Sequence, residues 1–239
     1  MRLALFLALA LQTAPADDKA ADDAIEAFKT AYKSSSEADR AALVEELAKV
    51  IHPKTLAGLG SILATDGPTV RIAAAKGLGT FTDHAKAASA ALAAAFPGNG
   101  REEAVQVALL QAIGKLGDPG SLPFLHKTFD EKDPAVAKAA IQSAAEMKHS
   151  SSIDPLIALL EKLEKAAKAT GAGSVTYTAP SGGPIVTAGV DALAKKRVEE
   201  LLPATLKALQ DLTQQKLTNS ADFKAWWNRN KATFKPATK

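Results

Sequence analysis

Val70-Arg71-Ile72-Ala73-Ala74-Ala75-Lys76-Gly77-Leu78-Gly79-Thr80-Phe81 decides the fold, because two later stretches, Val105 to Leu116 and Val136 to Met147, match it without a gap. Val70 aligns with Val105 and Val136, Ala73 with Ala108 and Ala139, Gly77 with Ala112 and Ser143, and Phe81 with Leu116 and Met147. A fainter copy runs from Asp39 to Val50, with Ala42 and Leu47 in register. The copies start at 39, 70, 105 and 136, spaced by 31, 35 and 31 residues. Apolar residues at offsets 0, 3, 4, 7, 8 and 11 of each copy form one face of an α-helix. Small residues at offsets 3 and 7 let a neighbouring helix approach closely.

Each copy is followed by a second helical stretch: Lys54 to Leu63, Ala85 to Phe96, Ser121 to Phe129 and Ile153 to Ala167. The unit is therefore helix, short turn, helix. Asp133-Pro134 and Asp118-Pro119 each place a cap residue and an N1 proline ahead of a helix. Asp66-Gly67-Pro68 and Pro97-Gly98-Asn99-Gly100 break the chain between units.

Asp133-Pro134-x-Val136-x-x-Ala139-Ala140 and Thr69-Val70-Arg71-x-Ala73-Ala74-x-x-Leu78-Gly79 resemble the HEAT-repeat family, including its short bacterial variant of the phycobilisome-lyase type. The resemblance covers residues 36–168 best. It implies an all-α fold, a right-handed α-α superhelix or solenoid. The family hosts scaffolds, adaptors and a few enzymes, so the fold alone says little about function. One departure is Arg71, which has Gln106 and Ala137 at the equivalent positions. No ladder of charges through the stack follows.

Composition agrees with packed helices. The chain has 239 residues, 47% of them hydrophobic and only 5% aromatic. A net charge of +3 is too mild to indicate nucleic acid or an anionic membrane. Basic residues do not interleave with aromatics, which argues further against nucleic acid. The absence of cysteine excludes disulfides, thiolate metal sites, a thiol nucleophile and lipid attachment at an N-terminal cysteine.

Residues 1–16 read as a cleavable signal peptide: Arg2, an apolar run from Leu3 to Leu11, then Ala14-Pro15-Ala16 before Asp17-Asp18. The apolar run falls short of the ~20 residues a membrane span needs, and none is expected in the mature chain. Export to the periplasm or the exterior, with cleavage near Ala16, is the expectation. Residues 17–35 read as a helical lead-in.

Residues 169–190, rich in Gly, Ser, Thr and Pro, interrupt the repeats and read as a flexible joining loop or as a small hairpin around Pro180-Ser181-Gly182-Gly183-Pro184. As a hairpin this insertion could touch a partner through Tyr177 and Ile185. Residues 191–234 return to helix, with Pro203 as an expected kink and Lys195-Lys196-Arg197 as a short basic run, read as a solvated helix face or a partner contact. Ser220 is the expected cap of a last helix carrying Phe223, Trp226 and Trp227, with Phe234 beyond it. Such a Trp-Trp helix resembles the closing segment of many uncharacterised exported bacterial repeat proteins. It could cover the open apolar face of the last repeat, or Trp226 and Trp227 could bind carbohydrate or peptide. Covering is favoured, because adjacent helical residues point ~100° apart. Residues 235–239 read as a frayed tail.

No catalytic motif occurs: there is no His-Glu-x-x-His, Gly-x-Ser-x-Gly or phosphate-binding Gly-Lys-Ser/Thr loop. His52, His84 and His149 fall at turns within units and read as solvated rather than as metal ligands. No catalytic residue, cofactor or metal is expected. The functional expectation is a non-enzymatic scaffold that binds a protein partner, with a lyase-type repeat enzyme or accessory, or a surface glycan or peptide binder, as alternatives.

Overall fold

A computed structural model describes residues 17–33, 35–171 and 192–235. The punctuation in the sequence sets the helix starts. Asp17 caps α1 (Asp18–Tyr32) by accepting from the Ala20 N–H, and Ser36 caps α2 (Glu37–Leu47) by accepting from the Asp39 N–H. Prolines at the first position open α3 (Pro53–Thr65) and α4 (Pro68–Leu78), where a missing N–H costs nothing. α5 (Ala85–Ala95) and α6 (Glu103–Leu116) follow; α6 ends on Gly117, whose φ of 68° is the left-handed cap that glycine supplies without strain. α7 (Leu122–Thr128) is preceded by a 3₁₀ turn over Pro119–Ser121, so Asp118-Pro119 opens this turn and not the helix itself. Asp133 caps α8 (Pro134–Glu146) as expected, accepting from Ala135 N–H at 2.8 Å. α9 (Ile153–Gly171), α10 (Ala192–Thr213) and α11 (Ser220–Asn230) complete the described elements. All are helical; no strand occurs among the described residues.

The chain divides into two compact units, residues 1–121 and 122–239. In the first, α2, α4 and α6 lie side by side in one layer; α1, α3 and α5 form a second layer, with α4 against α3 and α6 against α5. The lead-in helix α1 thus takes the place of a second helix ahead of the first full repeat. The repeated face is the core: Val70, Ala74, Leu78, Val105, Leu109 and Ile113 are fully buried. Gly77 shows why offset 7 must be small. A Cβ there would sit 2.6 Å from the Ala48 Cβ, so α4 reaches the end of α2 only without a side chain.

In the second unit, α8 lies against α7 and α10, while α9 lies against α10 and α11. α10 therefore stands beside α8, and α11 beside α9, as a further helix pair would. The register agrees. Leu201, Ala204, Thr205, Ala208, Leu209 and Leu212 occupy offsets 0, 3, 4, 7, 8 and 11, and all but half-buried Ala204 are buried. This is a fifth copy of the motif, beyond the four read from the sequence. α10 continues through Pro203, whose ring faces solvent. α9 extends to Gly171, into the stretch read as the start of the insertion. The rest of that insertion, with Tyr177 and Ile185, lies outside the described residues, as do the signal-peptide stretch 1–16 and the last four residues of the tail.

Candidate interaction surface

The residues singled out by sequence divide into those used internally and those left at the surface. Lys195 and Lys196 are exposed and lie 3.9 and 3.8 Å from Glu199 and Glu200, one helical turn on. Arg197 differs from both. Its guanidinium donates to the Phe129 carbonyl at 2.6 Å and to the Glu131 carbonyl, tying α10 to the segment that follows α7. Arg197 is therefore a structural clamp, and the three basic residues do not form one free patch.

Trp227 is 6% exposed and Phe223 fully buried, where α11 packs on α9. Trp226 is half-buried and stacks on Trp227 at 6.2 Å, and the Phe234 ring stands edge-on to both. The cap of α11 is Asn219, which accepts from the Asp222 N–H at 2.9 Å. Ser220, the expected cap, instead donates its N–H (2.9 Å) and hydroxyl (2.6 Å) to the two oxygens of Glu164 on α9. A carboxylate on α9 thus fixes the start of α11.

The turn histidines are engaged more fully than solvated side chains would be. His52 Nδ1 accepts from the Lys54 N–H, and its Nε2 lies 3.1 Å from Asp18, with the side chain 13% exposed. His149 Nδ1 accepts from the Ser151 N–H. His126 Nε2 and Ser152 Oγ share a hydrogen bond of 3.0 Å; burial first, and then the neighbouring His149, pushes the His126 imidazole below its usual range. No group of three or more His, Asp or Glu residues suited to a metal occurs among the described residues.

The densest polar network joins α1, α2 and the end of α3. Arg40 grips Asp66 through Nε (3.0 Å) and Nη2 (2.7 Å), the Tyr32 hydroxyl donates to the same carboxylate, and the Arg40 guanidinium lies 5.6 Å from the Tyr32 ring centre. Arg40 holds the Asp66 carboxyl well below the usual carboxylate range. Burial, together with Asp66, pushes the Tyr32 phenol up to about 12. With every member paired, this is a structural lock.

A different surface faces outward from α3 and α5. Ala57, Gly58, Ser61 and Ala64 on α3 and Ala87, Ala90 and Ala94 on α5 are exposed, and the two helices are neighbours. Lys54 and Lys86, each at the second position of its helix, are the only charged residues on either. α9 contrasts with them: its sequence carries Asp154, Glu161, Lys162, Glu164, Lys165 and Lys168.

Layers of paired helices built on one repeated face define an α-solenoid of the HEAT-like kind. The model of the HEAT repeats matches residues 25–97 and 98–170, more than half of the chain, and the protein belongs to that family. The boundary between the two matches falls in the Pro97–Asn99 turn, and α10 and α11 lie beyond them. No curated protein matches the chain. No helix among the described residues is long and apolar enough to cross a membrane.

Proposed function

We propose that the protein is an exported, non-enzymatic scaffold that docks a protein partner on the α3–α5 face. The observation that carries this reading is the exposed, nearly charge-free row of Ala, Gly and Ser on two adjacent helices. Alanine and glycine lose no side-chain rotamer freedom when covered, and no charge has to be stripped of water. A partner can therefore approach the backbone closely at little cost. HEAT repeats commonly serve such contacts, which supports the same reading.

Export rests on the pattern of residues 1–16, and the start of the folded part is compatible with it. Asp17 is the cap of α1, so cleavage after Ala16 leaves the helix and its cap complete. N-terminal sequencing of protein secreted by its native host should begin at Asp17; a chain that retains Arg2 counts against export.

For docking, the tagged mature chain is used to capture partners from envelope extract. Ala90→Arg places a long cation on the row and should abolish capture of a specific partner. Lys165→Glu on α9 should leave it intact. Failure to capture any specific protein, or capture unchanged by Ala90→Arg, overturns the assignment of this face.

A further inference from the structure

The 35-residue spacing between the second and third copies is four longer than its neighbours, and the extra residues have a structural use. The turn Pro97–Asn99 and its continuation to Glu102 join α5 to α6. Asn99, 2% exposed, anchors this turn to three helices. Its Nδ2 donates to the carbonyls of Leu63 (3.2 Å) on α3 and Ala95 (2.8 Å) on α5, and its Oδ1 accepts from Arg71 Nη1 (2.5 Å) on α4. Arg71, the one arginine at its position in the repeat motif, thus meets the one lengthened connection.

Beside this anchor lies an open cavity of about 570 Å³, lined by Arg71, Pro97, Gly98, Gly100, Arg101 and Glu102. Three features give it a positive bias. Two guanidinium groups line it against one carboxylate. The Nε–H of Arg71 is buried and has no acceptor, although a buried donor left unpaired is costly. Glu102 is the cap residue of the 14-residue helix α6, yet its side chain makes no capping bond, which leaves the positive end of that helix uncompensated. Gly98 has nothing within 4 Å of where a Cβ would stand, so the turn presents bare backbone to an incoming group.

We propose that this cavity binds a phosphate group, held by Arg71 and Arg101 beside the N-terminus of α6. Arginine's planar fork of donors suits a tetrahedral oxyanion, and backbone N–H groups at a helix start complete such sites. Glu102 opposes the ligand and sets the affinity low. The inference is independent of the scaffold reading, because it concerns a different surface.

The test is an NMR titration of the full mature chain with inorganic phosphate, and separately with O-phosphoserine, at constant ionic strength held with chloride. Saturable shifts of the Gly98, Gly100, Arg101 and Glu103 amides are expected with at least one of the two. Response to the free ion alone assigns inorganic phosphate as the ligand; response to the ester assigns the phosphoryl end of a larger molecule. Arg101 is exposed, so Arg101→Gln keeps the fold and should weaken binding at least fivefold. Glu102→Gln should tighten it severalfold, which a merely structural role for the turn would not produce. No saturable shift with either compound, or an affinity unmoved by both substitutions, overturns the proposal.

Discussion

Two glycines in neighbouring helices make opposite predictions from the same chemistry. Gly77 in α4 stands where a Cβ would meet the Ala48 Cβ at 2.6 Å, and a methyl group cannot rotate away. Gly77→Ala gains about 1 kcal/mol of helix propensity but must separate two packed helices, a strain of about 1–3 kcal/mol. Net destabilisation of about 1 kcal/mol is expected in urea unfolding. Gly58 in α3 has nothing within 4 Å, so Gly58→Ala should stabilise by about 0.5–1 kcal/mol in the same assay. Asp66 gives a prediction in pH. Its carboxyl is held below the model value of 3.8, so the pairing contributes stability above that pH and loses it as pH falls toward the folded value. Asp66→Asn should be less stable than the parent by a constant margin above pH 4, and the margin should shrink below it. A margin that does not narrow in acid would mean that the carboxylate is not the stabilising species.

At the scale of elements, the docking of α11 is the contact most open to measurement, because both tryptophans of the chain lie on it. Glu164 on α9 receives two hydrogen bonds from Ser220, and hydrogen bonds to a charged group contribute ~1.5–3 kcal/mol each. Glu164→Ala should lower stability by about 2 kcal/mol and shift tryptophan emission to longer wavelength as Trp227 gains water. Emission unchanged in that variant would show that the aromatic face holds α11 without the carboxylate. The helices α2 to α9 were readable in advance, since the apolar period, the caps and the prolines all mark the same boundaries. α10 hid its repeat register. Its offset-0 Leu201 is followed by the helix breaker Pro203, and Thr205 stands where the other copies carry alanine or leucine. The polar contacts were not readable at all. Asn99 with Arg71, Glu164 with Ser220, and Arg197 with the carbonyls after α7 each join residues far apart in sequence, and a single side chain leaves no periodic trace. The basic run therefore read as one surface feature, although Arg197 is spent on an internal clamp.

For the whole molecule, the two compact units carry different pH sensors, and the tryptophans report on only one of them. Residues 122–239 contain Trp226, Trp227 and His126; residues 1–121 contain Asp66. His126 is half-buried between α7 and the turn that starts α9, hydrogen-bonded to Ser152, and its imidazole is pushed below the model value of 6.5 by burial and then by His149. A folded value below the unfolded one means that the neutral ring fits the native packing. The stabilising contribution is complete above pH 6.5 and is lost as pH falls below it, because the unfolded chain then takes up the proton first. Carboxylates with ordinary values titrate well below this range, and Asp66, held lower still, belongs to the other unit. The urea midpoint followed by tryptophan emission should therefore be level from pH 8 to 7 and decline between pH 6.5 and 5. His126→Gln keeps a hydrogen-bonding group toward Ser152 but cannot take up a proton, so it should flatten that decline. His149→Gln should reduce it only in part, since His149 contributes the smaller cause. A decline that persists in both variants would place the proton uptake elsewhere in the unit and remove His126 as its origin.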